Sequence, residues 1–244
     1  MAVPLAGAAA TPSDPSNFVT VLNIGTVAPD GVVLNGPIVG SGDEDGIITA
    51  DNLFGEVLGA DTQLNLYTGG TIDSMDIGPG NNIEVNVFDG FVDDPFIRDA
   101  RVNVFGGNVD GLFMRDGELN VTGGVFTDNV TALGSTIEYS GGVFQAPFVA
   151  TVGSILNISG SNFAINGVPL TGLEVGEAFE ITQRDMRLTA TLADGTEFDE
   201  RIRPGSIGDF RVPTSSTLTV TLVPAPGVAL ALGGAGLIAN RRRR

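Results

Sequence analysis

The chain has 244 residues, with 29 Asp and Glu against 12 basic residues that are all Arg, a formal net charge of −17, and no His, Cys, Lys or Trp. Four Arg end the chain, so residues 1–240 carry 8 positive and 29 negative charges, or −21, a field that repels phosphate backbones and excludes nucleic-acid binding. Without His or Cys there can be no Ser-His-Asp triad, Cys-His pair, Cys/His zinc site or disulfide, and carboxylate and arginine are what remains for chemistry.

Thirty-five Gly and 13 Pro break the chain too often for long amphipathic helices, while 42% hydrophobic residues are ample for one core. Strands of three to six residues fit, and an all-β protein is expected. Residues 1–16 read as a residual leader or a disordered N-terminus. Ala8-Ala9-Ala10 before Thr11 has the small residues of a signal-peptidase site without a basic stretch before it, and a frayed terminus is the equal alternative. Residues 17–60 hold irregular β segments, Phe18-Val19-Thr20-Val21-Leu22 and Gly31-Val32-Val33-Leu34, read as initial, degenerate rungs. Within them Gly40 to Gly46 gathers Asp43, Glu44 and Asp45, but matches neither the EF-hand nor the glycine-rich nonapeptide spacing, so no metal site is assigned.

Residues 61–164 repeat. A short strand followed by a glycine corner recurs at Leu64-Asn65-Leu66, Val85-Asn86-Val87, Val102-Asn103-Val104, Leu119-Asn120-Val121, Ile137-Glu138-Tyr139 and Leu156-Asn157-Ile158. The central polar positions 65, 86, 103, 120, 138 and 157 are 21, 17, 17, 18 and 19 residues apart, one β-solenoid rung per step. Alternation along each strand sends residues such as Leu119 and Val121 inward and Asn120 outward, so that one residue in two is buried. Gly-Gly pairs supply positive φ or close backbone approach at the corners. Stacking aligns the Asn side chains into an amide ladder that Glu138 interrupts, and Asn120 and Asn157, although in Asn-X-Ser/Thr patterns, are repeat positions rather than glycosylation sites. Leu119, Val125, Thr131, Ile137, Val143, Val149 and Ile155 fall six apart, the hexad of a left-handed solenoid, but it fails at Arg101 and Gly107, and a right-handed parallel β-helix is favoured. A β-sandwich is the alternative fold, disfavoured because sandwiches do not repeat a glycine corner at this period.

Residues 165–222 form a β-rich cap. Met186 to Ile202 alternates around Asp194-Gly195, a type I′ hairpin signal, and Thr217 to Leu222 adds a final strand. Residues 223–244 are an apolar tail: Val223-Pro224-Ala225-Pro226, then an uncharged run to Ala239, then Asn240 and Arg241-Arg242-Arg243-Arg244. Seventeen residues from Val223 to Ala239 carry no charge, a marginal membrane segment whose terminal Arg stay cytoplasmic.

Proline motif, apolar stretch and Arg run in that order resemble the PEP-CTERM sorting signal of Gram-negative, exopolysaccharide-making bacteria, with Ala225 where that family commonly has Glu. The Gly-rich rungs, Gly134 to Gly142 among them, resemble the β-helix repeats of such exported proteins. The resemblance implies export, inner-membrane anchoring by the tail, processing by an exosortase-type enzyme near Val223 to Pro226, and a surface or extracellular location with exopolysaccharide as a further partner.

Two function classes follow. One is a non-enzymatic matrix or envelope component; the other is a β-helix polysaccharide lyase or hydrolase acting on an acidic glycan. The charged material for an enzyme is Asp93, Asp94, Arg98, Asp99, Arg101, Asp110, Arg115 and Asp116, in two consecutive rungs. An enzyme needs these groups to converge in a groove, whereas a solenoid with short glycine corners scatters them as solvating residues. The non-enzymatic class is expected, with no catalytic residue, metal or cofactor.

Overall fold

The computed structural model describes residues 11–25, 61–73, 76–77, 82–205 and 210–224. Among them there is no α-helix, only one 3-10 turn, Pro15–Asn17, and the rest of the regular structure is strand. In chain order the strands are β1 Thr20–Ile24, β2 Thr62–Leu66, β3 Thr71–Asp73, β4 Asp76–Ile77, β5 Ile83–Val87, β6 Phe91–Asp93, β7 Phe96–Arg98, β8 Arg101–Val104, β9 Asn108–Asp110 and β10 Leu112–Arg115. They continue as β11 Glu118–Phe126, β12 Val130–Leu133, β13 Thr136–Phe144, β14 Phe148–Ala150, β15 Ile155–Ile165, β16 Val168–Pro169, β17 Ala178–Glu180, β18 Met186–Leu192, β19 Glu197–Arg203, β20 Phe210–Arg211 and β21 Thr217–Leu222.

Three parallel stacks result. The first runs β1, β2, β5, β8, β11, β13, β15, β21. The second runs β3, β6, β9 and then the distal ends of β11 and β13. The third runs β4, β7, β10, β12, β14, β20. Visiting each stack in turn, the chain builds a β-solenoid of about five turns. The register is the one the repeat spacing predicts: Asn65 pairs with Asn86, Asn86 with Asn103, Asn103 with Asn120, Asn120 with Glu138 and Glu138 with Asn157.

Inside, Leu119, Ile137 and Leu156 align in one row and Val121, Tyr139 and Ile158 in the next, all buried. Ile72, Val92, Val109, Ile97 and Met114 fill the other two sides in the earlier rungs, and phenylalanines take over in the later ones, with Phe126 stacked on Phe144 and Phe148 on Phe210, each at 4.6 Å between ring centres. Burying these rings and aliphatics by stacking is what holds a rung that has no core of its own.

The rule of one buried residue in two does not hold on the first stack. Asn65, Asn86, Asn103, Asn120 and Asn157, on the face opposite the core, are only 0 to 7% exposed. Each stands in register between polar residues of the neighbouring rungs, Asn for most and Glu138 and Thr219 for Asn157, and two residues on from Asn65, Asn86 and Asn103 lie Tyr67, Phe88 and Phe105, which stack on one another at 5.0 Å. The amides satisfy one another: Asn65 Nδ2 donates to Asn23 Oδ1, Asn86 to Asn65, Asn103 to Asn86 and Asn120 to Asn103, at 2.8 to 3.0 Å. Beyond Glu138 the ladder resumes, since Asn157 Nδ2 donates to Glu138 Oε2 at 2.7 Å and Asn157 Oδ1 accepts from Thr219 and Thr221. Glu138 itself lacks a donor for Asn120 Oδ1 when ionised, which is the physical reason for the break.

Burial raises the Glu138 carboxyl above its ordinary value; the Asn157 hydrogen bond opposes this and the Glu118 charge adds to it. A carboxyl whose folded value is raised contributes stability below its unfolded value, and that contribution is lost as pH rises through the folded one. Glu138→Gln, which keeps the shape and supplies an amide donor, is therefore expected to stabilise the fold by about 1 kcal/mol near neutral pH. The gain should vanish in acid, as thermal unfolding at the two pH values would reveal; an equal gain at both would remove the titration as its cause.

The corners explain the glycines. Gly124 has φ +83°, and a Cβ on it would lie 2.9 Å from the Gly106 carbonyl oxygen of the preceding rung; a Cβ on Gly123 would overlap the Phe105 carbonyl oxygen. At the corner that leads into the first stack, the left-handed position is filled instead by Asp61, Asn82, Asp99 and Asp116, with φ between 51° and 61°, and then by Gly134 and Gly153. Asp and Asn are the side chains that best tolerate that conformation.

After β15 enters its rung, its distal half turns antiparallel to β18, and β18 pairs with β19 from Met186 opposite Ile202 to Thr191 opposite Glu197. The hairpin forms where Asp194-Gly195 places it, but the turn differs from type I′. Gly195 alone has positive φ, Gly195 N–H bonds the Leu192 carbonyl and Leu192 N–H bonds the Thr196 carbonyl, a three-residue loop with a glycine bulge. Asp194 Oδ2 also accepts from Gly142 N at 2.9 Å, tying the hairpin tip to a solenoid corner. The chain then rejoins the stacks: β20 lies on β14 and β21 on β15, while β17 covers the outer edge of β21.

Candidate functional site

The eight charged residues that an enzyme would need are dispersed. Asp93 and Asp110 stand in register on β6 and β9 of the second stack, and Arg98 and Arg115 in register on β7 and β10 of the third. Asp94, Asp99 and Asp116 occupy left-handed corner positions, so their residue type is accounted for by backbone conformation. Arg101 lies on β8 of the first stack, 3.1 Å from Glu118 and 3.8 Å from Glu84. Arg115 pairs with its neighbour Asp116 at 3.2 Å. Asp110 accepts from Thr127 Oγ1 at 2.9 Å.

Part of the set does share one concavity, of about 320 Å³, bounded by Ser13, Phe18, Glu84, Arg101, Glu118 and the Asp99 and Asp116 corner. Its most constrained group is Glu84, 2% exposed, which sequence inspection passed over. The Glu84 carboxylate accepts from Ser13 N at 3.0 Å, Ser13 Oγ at 2.6 Å, Gln63 Nε2 at 2.8 Å and Asn86 Nδ2 at 2.9 Å. Burial pushes its pKa up, but the hydrogen bonds from Ser13, Asn86 and Gln63 outweigh burial and the net shift is downward. Four donors hold this carboxylate, and through Ser13 it fixes the segment before β1 against the rungs. Among the described residues no group of three or more Asp and Glu is placed to hold a metal ion.

What sequence inspection also left unused is the aromatic series. Tyr67, Phe88 and Phe105 each directly follow a strand of the first stack, and the 21- and 17-residue steps between them were the signal. On the third stack Phe96 and Phe113 lie one rung apart with ring centres 4.8 Å apart and planes within 10°, and the Arg98 guanidinium sits 5.1 Å from the Phe96 centroid.

Of the sorting motif, Val223 and Pro224 are placed: Val223 is buried and its N–H donates to the Gly160 carbonyl at 2.8 Å, while Pro224 is exposed. Ala225, Pro226 and Arg241 to Arg244 lie outside the described residues, as do Gly31 to Leu34, the Gly40 to Gly46 loop and Ala8 to Ala10. Among the described residues no helix is long and apolar enough to cross a membrane. Asn120 and Asn157 are locked in the amide ladder, which leaves neither side chain open to glycosylation in the folded chain.

Comparison with protein-family models, with curated proteins and with solved structures gives no match to this chain.

Proposed function

We propose that this chain is a non-enzymatic, exported component of the cell envelope or extracellular matrix, a right-handed β-solenoid body joined to a C-terminal sorting tail on which an exosortase-type enzyme acts. The observation that carries the reading is the dispersal of Asp93, Asp94, Arg98, Asp99, Arg101, Asp110, Arg115 and Asp116 over three stacks and their corners, where most of them have conformational or ion-pairing roles. Proton abstraction from a uronate needs a base and a charge-neutralising group within hydrogen-bond reach of one sugar; Asp93, Asp94, Arg98, Asp110 and Arg115 are spread over two stacks and a corner, and Asp99, Arg101 and Asp116, which share one concavity, are engaged in left-handed corners and in ion pairs with Glu118, Glu84 and Arg115. The right hand is the one that parallel strand crossovers adopt almost without exception. Supporting the tail is its junction with the body: among the described residues Val223 makes the last ladder bond, so a cut after Val223 would spare every described rung.

The test has two arms. Full-length protein exported from a Gram-negative host should fractionate with membranes, and a chain ending at Pro224 should be soluble; a full-length chain found wholly soluble before processing removes the anchor. Incubation with pectate, alginate or a neutral glucan, with and without Ca²⁺, should generate no ultraviolet-absorbing unsaturated ends. Turnover that Arg115→Ala abolishes would replace this reading with a lyase.

A further inference from the structure

The end of the solenoid from which the tail departs is only partly closed. Strand β21 is the last rung of the first stack, and residues 166–177 with strand β17 are what lies beyond it. Phe163, Pro169, Leu170, Leu173 and Leu222 line a groove of about 370 Å³ there, and Leu170 and Leu173 pack against the core while remaining partly exposed. Beside it Val168, Val175 and Phe179 are 67, 64 and 41% exposed, where Val175 bridges Leu222 and Phe179 pairs with Val220. Glu174, Glu177 and Glu180 stand exposed on the same segment, and residues 166–183 contain no basic residue. The result is an apolar floor with an acidic margin, left uncovered among the described residues.

We propose that this groove holds the chain's own C-terminal apolar segment, residues 227–239, whenever no bilayer is there to receive it, with Arg241 to Arg244 against the acidic margin. The proposal goes beyond the sorting reading and does not rest on it, since a run with Val228, Leu230, Leu232, Leu237 and Ile238 and no charge has to be covered in water whatever its destination. Three considerations choose this occupant. The first is position: Leu222 belongs to the lining, the described chain leaves the body at Pro224, and Leu232 follows within a reach of about 28 Å. The second is the match of chemistry, because the tail is apolar and then basic where the body is apolar and then acidic. An anionic headgroup or an acidic partner would instead meet Glu174, Glu177 and Glu180. The third is tethering. A short linker keeps the segment at an effective concentration on the order of millimolar, so contacts too weak to hold a free peptide suffice.

The test uses the full chain, whose lack of Cys lets Leu232→Cys place a single thiol in the tail. Its rate of reaction with a small neutral maleimide in lipid-free buffer reports how often the tail is open. That thiol should react at least about tenfold more slowly than in the same chain carrying Val168→Arg and Val175→Arg, two exposed positions whose change leaves the urea midpoint in place. Val152→Arg, 66% exposed at the corner before β15, should keep the protection within about twofold. Glu174→Gln/Glu177→Gln should lose at least about twofold of it. Equal rates in the parent and the Val168→Arg/Val175→Arg chain would overturn the proposal, as would protection that the Gln pair leaves unchanged. Protection that grows with protein concentration would assign the groove to a second copy, and protection that begins only on adding phosphatidylcholine vesicles would assign the tail to lipid alone; either overturns it. The two readings fail separately. A chain protected in buffer that does not float with the vesicles keeps the groove and sinks the anchor, whereas one that floats without protection in buffer keeps the anchor and sinks the groove.

Discussion

Val121→Asp should destabilise the protein by about 4 kcal/mol or more, enough to unfold many domains of this size. Val121 is fully buried, between Val104 of the rung before and Tyr139 of the rung after, both of them buried too. A carboxylate there would have aliphatic and aromatic neighbours and no donor to receive its charge, and the strand could not turn it outward without shifting register and moving Asn120 from the amide ladder into the apolar core. Val143→Asp is the matched control. Val143 is 41% exposed on the outward side of β13, so the same substitution there should move the unfolding midpoint by no more than about 0.5 kcal/mol. Urea unfolding of both variants separates the cases. A Val121→Asp midpoint near the parent value would mean that the rung register is wrong.

How much of this was legible in the residues follows from what repeats. The rung register could be read because Asn65, Asn86, Asn103, Asn120 and Asn157 recur each time between two apolar residues, and period-two alternation leaves no second way to stack them. The corners could be read from Gly106-Gly107 and Gly123-Gly124, since only glycine removes the clash with the carbonyl of the rung below. Corner residues that are not glycine left two readings open: Asp99 and Asp116 could be solvating corner residues or chemistry, and the left-handed φ that accounts for their residue type has no signature of its own in the letters. The burial of the amide ladder was also hidden, because alternation gives the side of the sheet a residue faces but not what its neighbours cover. Nor could the route of β20 and β21 be read. Their rejoining of β14 and β15 depends on a 45-residue separation between Ile165 and Phe210, and such pairings leave no local period. Of the candidate site, the residues were named and their scatter was expected from the short glycine corners, but which of them share the concavity beside Glu84 was not legible, for sheet membership and the placing of the segment around Ser13 decide it.

Glu84→Ala should be the second most damaging change, costing about 2 to 4 kcal/mol and loosening the segment around Ser13 from the rungs. Four donors converge on that carboxylate, and alanine would leave Gln63 Nε2 and Asn86 Nδ2 facing a small void in a place where little water reaches. Asn86 retains its bond to Asn65, so the amide ladder should survive while the N-terminal clasp fails. Proteolysis should then cut near residues 11–18 first, with the rungs resisting. The pH dependence supplies a second readout. Because the folded Glu84 pKa lies below the unfolded one, its contribution is fully present above the unfolded value and is lost as pH falls through the folded value. Parent protein should therefore lose stability on acidification through that window more steeply than Glu84→Gln, which cannot titrate and presents only one acceptor oxygen to the four donors. Parallel curves for the two proteins would show that folding leaves the Glu84 pKa where it stands in the unfolded chain, and the four donors would then not favour the ionised carboxylate.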